Sequence, residues 1–286
     1  MKRVCCFLLS LALILPLYAA AESDMGELYI EEVIEGEEKI PEVKAPSAPE
    51  WDFPVALEDM NPEYIILANK HYLLDKKYVP KDLVTVPSKP DKGGISWAVK
   101  PKDGQKLRQV CSDALCEMNA AIREASEENG YRKLYLKSAY RSYSTQKTMY
   151  NNRLKKNKGK DDGWVSKPGA SDHQTGLGCD VVPSNWKDKA MNDKMMQEPE
   201  CQWMADHCHE FGFIIRYPAD KQEITEINTE PWHLRYVGIP VATYIMENGL
   251  CLEEFTDQLQ QAIRDYLEAG GDRAKVEMFI QNPTEE

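Results

Sequence analysis

The stretch from Glu22 to Glu50 limits how much of this chain can fold. It holds ten acidic residues, two lysines, three prolines and a single aromatic, Tyr29. That little apolar surface does not offset the entropy of ordering a backbone, so residues 22–50 read as a disordered acidic spacer. Before it, Lys2 and Arg3 lead into an apolar run from Val4 to Leu17 that closes on Ala19-Ala20-Ala21. This is the pattern of a secretory signal peptide over residues 1–21, with cleavage expected after Ala21 and with Cys5 and Cys6 discarded. An apolar run of roughly 14 residues falls short of the ~20 that a membrane-spanning helix needs. The chain is therefore expected to be exported, to the extracellular space, the periplasm or the cell envelope, and not to be an integral membrane protein.

Folding is left to residues 51–270, about 220 residues and enough for one domain with a sizeable core. Residues 271–286 are expected to form a loose tail. The formal charge is −12, and loss of Lys2 and Arg3 makes it −14. Such a balance disfavours nucleic acid and anionic membrane as partners. The chain is expected to act as a monomer.

Within that block the periodicities mix. Leu107, Cys111, Leu115, Met118, Ile122 and Ala125 recur at helical spacing before an Asn129-Gly130 stop. Residues 133–137 alternate as a strand, 144–154 suit a polar helix, and 155–163 an exposed loop. Trp203, Met204, His207, Cys208 and Phe211 mark a further helix, followed by a strand at 213–217 and by helices over 241–247 and 252–267. Strands and helices alternate without a regular βαβ pattern, which predicts an α+β fold with a small mixed or antiparallel sheet and packed helices.

Six cysteines remain after the leader: Cys111, Cys116, Cys179, Cys201, Cys208 and Cys251. An even number in an exported protein predicts disulfides. Cys111 and Cys116 are excluded as a pair, because residues five apart on a helix point about 140° apart.

Two of the five histidines stand in segments that packing alone does not explain. In SDHQTGLGCD, His173 precedes Asp180 across a turn containing Gly176 and Gly178. In EPWHLRYVG, Glu230 precedes His233 by three. A catalytic zinc site takes three nitrogen or oxygen ligands and keeps one position open, and His173, Asp180 and His233 would supply two imidazoles and a carboxylate. Glu230 is then a carboxylate beside the metal but not on it, suited to move a proton from water to a leaving amine. His71, His207 and His209 have no such context and are assigned to surface or packing roles. Trp232 suits a cleft wall and the core equally.

Together with SAYRSYSTQ, Ser138 to Gln146, these segments resemble the VanY-type D-alanyl-D-alanine carboxypeptidases, zinc peptidases that share a fold with the hedgehog signalling domain. YIILANKHYLLDKKYVPKDLV and NGLCLEEF resemble that family's flanking segments, so the likeness covers most of residues 64–255. The resemblance implies one Zn2+ per chain on His173, Asp180 and His233, with Glu230 as catalytic base. It implies that Arg141 faces the scissile carbonyl or the substrate carboxylate, and that Gln146 and Ser171 line the substrate cleft. The implied substrate is a peptidoglycan stem peptide that loses its C-terminal D-alanine. Alternatives are L,D-carboxypeptidase action on tetrapeptide stems, cleavage inside the wall, and a zinc-containing binding module without turnover. Glu230 and Arg141 argue against the last, since a structural metal site needs neither. Thr229 and its neighbours, which lead into Glu230, are expected to bear on substrate choice.

Overall fold

A computed structural model describes residues 49–284. The expected leader and all but the last two residues of the expected spacer lie outside that range. Among the described residues no helix is long and apolar enough to cross a membrane. Two sheets organise the described residues. Strands β1 (Leu83–Thr85) and β3 (Lys106–Arg108) form an antiparallel pair. The main sheet holds β2 (Ser96–Trp97), β4 (Leu134–Ser138), β5 (Gly178–Pro183), β6 (Phe213–Tyr217) and β7 (Glu230–Tyr236), in the order β2-β4-β5-β7-β6. The β2–β4 pairing is parallel and the rest are antiparallel, so the α+β expectation with a mixed sheet holds.

The helices are α1 (Gln109–Asn129), α2 (Tyr143–Lys156), α3 (Pro199–His207), α4 (Gln222–Thr225), α5 (Ile239–Glu247), α6 (Leu252–Glu268) and α7 (Arg273–Val276). Helix α1 starts later than its apolar spacing implies because Leu107 belongs to β3. Helix α2 begins where the Ser142 hydroxyl accepts the Thr145 amide, a side-chain cap that satisfies an otherwise orphaned donor.

Strand alternation separates packing from chemistry. Cys179 and Val181 of β5, with Leu234 and Tyr236 of β7, join the core built with Leu115, Met118 and Ile122 of α1 and with Trp203 and Met204 of α3. Each fully buried aliphatic side chain there contributes roughly 1.5–3 kcal/mol. The residues between them on β5 and β7, namely Gly178, Asp180, His233 and Arg235, therefore face the other side. A second core gathers Val241 and Ile245 of α5 with Leu252, Phe255, Leu259 and Ile263 of α6.

Two expectations are corrected. The segment after Gly270 is not loose: Val276 and Phe279 are buried, and both Gln281 amide atoms bond to the 65–67 backbone. Helix α7 is a single turn, too short to show periodicity, and tertiary contacts order it. Nor are disulfides found among the described residues, where all six cysteines are free. Five of these thiols are buried and Cys116 is half-buried. Burial pushes Cys201, Cys208 and Cys251 up to about 12 and Cys116 up to about 11, so they stay protonated.

Candidate functional site

Strands β5 and β7 set Asp180 directly opposite His233. Opposed residues of an antiparallel pair project to the same face, and the His233 Nδ1 atom stands 3.2 Å from Asp180 Oδ1. His173 arrives from the turn Asp172–Thr175, which ends on Gly176 at φ 69°, a conformation that favours glycine. Its Nδ1 lies 2.8 Å from the Ala139 carbonyl. That contact fixes the proton on Nδ1 and leaves the Nε2 lone pair facing Asp180 Oδ2 at 3.4 Å. Gly178 permits the close approach, because a Cβ there would lie 2.8 Å from Asp172 Cβ and 3.1 Å from His233 Nε2.

Does this set fit a metal ion? A tetrahedral zinc with bonds of about 2.0–2.1 Å places its ligand atoms roughly 3.3 Å apart. Asp180 Oδ1 stands 3.2 Å from His233 Nδ1 and its Oδ2 3.4 Å from His173 Nε2, and one ligand atom from each of the three residues falls within 4.8 Å of the others. The three side chains are buried, and Asp180 Oδ1 has no hydrogen-bond partner despite its burial. A buried carboxylate oxygen left without a donor between two imidazoles suits a cation.

Charge among the side chains follows the same geometry. Burial pushes His233 down, but the neighbouring Asp180 and Glu230 carboxylates outweigh it and raise the imidazole to about 10. Burial, reinforced by Arg141, pushes His173 down. Asp180 is held far below the usual carboxylate range, since the two histidines overcome its burial.

Glu230 reaches the site through an irregularity. Residues three apart on a regular strand face opposite sides, yet Glu230 Oε2 lies 3.4 Å from His233 Nδ1. The register accounts for it: Ile215 pairs with Leu234 and Tyr217 with Glu230, so β7 carries extra residues between those pairs and turns Glu230 inward. Burial raises its carboxyl above the ordinary value, against the pull of His233. A buried carboxyl with a raised pKa is suited to take up a proton and return it.

Arg141 donates from its guanidinium to Gln146 Oε1 at 2.8 Å and to Ser138 Oγ at 3.0 Å. Among the described residues it has no carboxylate within ion-pair distance. Its remaining N–H donors are therefore free for a substrate oxygen. Gln146 lines the cleft and has a second part. Its amide nitrogen bonds to the Ser166 carbonyl at 2.7 Å, so both polar atoms are engaged and it braces Arg141 as well as lining the cleft. Ser171 lies on the cleft wall as expected.

All seven candidate residues line one cavity of about 120 Å³. Met149, Trp164, Ser166, Met191, Tyr217 and Ile227 join them, and no spacing in the sequence marks these. Trp232 lines the cleft and also enters the core, meeting both of its readings. Thr229 does not reach the cleft; its hydroxyl accepts from Gln222, and Ile227 is the cleft residue of that segment. His207 stacks on Trp203 at 4.8 Å and His71 is exposed, in keeping with roles outside the site.

Residues 104–239 match the family model for VanY, D-alanyl-D-alanine carboxypeptidase. A bifunctional D-Ala-D-Ala dipeptidase and D-Ala-D-Ala carboxypeptidase, VanXYC of Enterococcus gallinarum, is 36% identical over 211 residues, covering 70% of this chain and 97% of the relative. The structure of the LD-carboxypeptidase LdcB aligns at TM-score 0.58 and 36% identity, over 69% of this chain and 88% of LdcB. A mutant vancomycin-resistance D,D-pentapeptidase VanY, solved in complex with Zn(II), aligns at TM-score 0.50 and 29% identity, over 68% of this chain and 98% of its own.

Proposed function

We propose, from the premise that the chain belongs to the VanY D-alanyl-D-alanine carboxypeptidase family, that it removes the C-terminal D-alanine from peptidoglycan stem peptides ending in D-alanyl-D-alanine. The observation that carries this reading is one cleft holding three convergent ligands, an off-ligand carboxylate and a guanidinium without a carboxylate partner. A binding module needs only the first of these.

His173, Asp180 and His233 hold the zinc ion. When bound, it supplies Lewis-acid polarisation at the reacting centre. Glu230 takes the proton of the attacking water on its carboxylate and returns it to the nitrogen of the departing D-alanine, so the residue ends as it began. Arg141, braced by Gln146 and Ser138, directs its free N–H donors at the oxygen on which negative charge develops, or at the substrate carboxylate. Ser171 lines the substrate's path, and Trp164 and Trp232 add apolar wall to the cleft.

The proposal includes location and state. The protein acts outside the cytoplasm as a monomer after losing residues 1–21, a reading supported by the basic start, the apolar run and the small-residue ending. N-terminal sequencing of the secreted protein should begin at Glu22, and light scattering should give one chain per particle. A mature protein that still begins at Met1, or a dimer, would overturn those parts.

The resemblance to LdcB favours a second reading, L,D-carboxypeptidase action on tetrapeptide stems. One experiment separates the two: incubate the zinc-loaded protein with pentapeptide and with tetrapeptide stems and quantify free D-alanine. Release from the pentapeptide is expected. Release from the tetrapeptide alone selects the second reading, and release from neither removes the carboxypeptidase assignment.

A further inference from the structure

Beneath the metal-ligating turn lies a charge cluster that the reaction does not use. Arg216 and Arg235 are the largest fully buried side chains in the protein's described residues, and Asp172 is buried with them. Arg216 donates through Nε to Asp172 Oδ2 at 2.6 Å, and its two terminal nitrogens donate to the two oxygens of Glu253 at 2.7 and 2.6 Å. Arg235 bonds to Asp172 Oδ1 and, through its other terminal nitrogen, to the carbonyls of Tyr64 and Ile66 at 3.0 and 2.7 Å. Two guanidinium groups thus meet two carboxylates, and the cluster is neutral.

As a source of stability this is a poor arrangement. Removing an ion from water costs several kcal/mol, and well-packed apolar residues often serve as well as a buried ion pair. Its placement suggests another use. Asp172 immediately precedes His173. Arg235 follows His233 by two on the same strand face, and it pairs across the sheet with Gly178, two before Asp180. The cluster therefore touches the local backbone of all three ligands. Glu253 is the exception: it belongs to α6, far along the chain, and reaches the ligands only through Arg216.

We propose that Glu253 is a positioning residue for the metal site. Its two parallel hydrogen bonds fix the plane of the Arg216 guanidinium, which fixes the Asp172 carboxylate and with it the turn that aims His173 at Asp180. It also completes the neutrality of the cluster. Glu253→Gln leaves two arginines facing one carboxylate, a buried charge of +1 behind a site that must hold a dication. The proposal rests on the assignment of zinc to His173, Asp180 and His233.

The test uses the full exported chain and reads zinc affinity by chelator competition at a temperature far below unfolding, with the melting temperature of the zinc-stripped protein as a separate measurement. Glu253→Gln is expected to weaken zinc binding about tenfold or more, the range found for outer partners of metal ligands. It is also expected to shift the absorption bands of the cobalt-substituted protein. Leu259→Ala, on the same helix and fully buried but outside the cluster, is the control for destabilisation alone; it should lower the melting temperature and leave zinc affinity within twofold. If Glu253→Gln does not fold, Arg216→Lys, which keeps the charge but loses the fork, carries the same expectation. Zinc affinity of the cluster variant within twofold of the unaltered protein, or an equal loss in Leu259→Ala, would overturn the proposal. Equal zinc in unaltered protein and His173→Ala would show instead that the ligand assignment has failed.

Discussion

Replacing Glu230 by glutamine tests the chemistry most directly, because the amide keeps the shape of the carboxylate and removes only its charge and its capacity to accept a proton. The side chain is 13% exposed and stands 3.4 Å from His233 Nδ1, outside the three-ligand set. Loss of a general base typically costs a factor of about 10²–10⁴ in rate, which is roughly 2.7–5.4 kcal/mol at 1.36 kcal/mol per decade. Two effects on zinc oppose each other. Removing a nearby negative charge weakens the site's attraction for a cation. The same change withdraws one of the two carboxylates that raise His233 to about 10, and so lowers the cost of deprotonating it for binding. With all three ligands intact, zinc should remain stoichiometric at micromolar protein. The assay is steady-state D-alanine release from the pentapeptide, with metal content measured on the same sample. The expected result is a fall in kcat of at least a hundredfold with KM changed by less than about threefold. A fall of less than tenfold at full zinc occupancy would refute the role of Glu230 as base, and loss of zinc would mean that it is a ligand.

Arg141→Lys should lower kcat/KM by about 10²–10³, since an ammonium cannot hold Gln146 and Ser138 and still present a planar pair of donors; kinetics within threefold of the unaltered protein would contradict this. Dialysis against a chelator should abolish D-alanine release and added zinc should restore it, whereas His173→Ala should recover little activity on the same addition. Glu198 is held below its ordinary value, chiefly by the Trp186 indole N–H and against its own burial. A depressed folded-state value stabilises above the unfolded pKa, near 4.5, and that stabilisation is lost as pH falls through the folded one. The melting temperature of Glu198→Gln should thus depend less on pH below about 4.5 than that of the unaltered protein, and parallel curves would count against it.

The long helices were legible because their apolar spacing is regular. Residues 252–267 were expected to be helical, and α6 spans Leu252–Glu268. The metal ligands were legible by residue type in a chain with few histidines. What escaped depends on contacts distant in sequence. Nothing between Glu230 and His233 announces the extra residues in β7 that turn both inward, because register is set by the neighbouring strand. Tyr217 and Trp164 reach the cleft from a strand end and a loop whose positions the rest of the fold decides. Asp172 and Arg235 lie inside the very motifs that revealed the ligands, but Arg216 stands 44 residues from the Asp172 it bonds and 37 from Glu253, its other partner. The segment after Gly270 was misread because one helical turn carries no period.

Residues 273–284 complete a floor that the earlier parts require. Gln281 and Thr284 fasten the segment around residues 65–73. Further along that same stretch, the Leu74 amide bonds to Gly169, and the carbonyls of Asp75 and Tyr78 receive Gln174, one residue past a metal ligand. During synthesis the two strands and the turn that carry the three ligands emerge before the strap that holds their support. A released chain cut shortly after Gly270 would therefore present the whole catalytic set with its underside unfastened. Competence would come only as residues 273–284 dock, and a protease that trims this strap would loosen the cleft without reaching it.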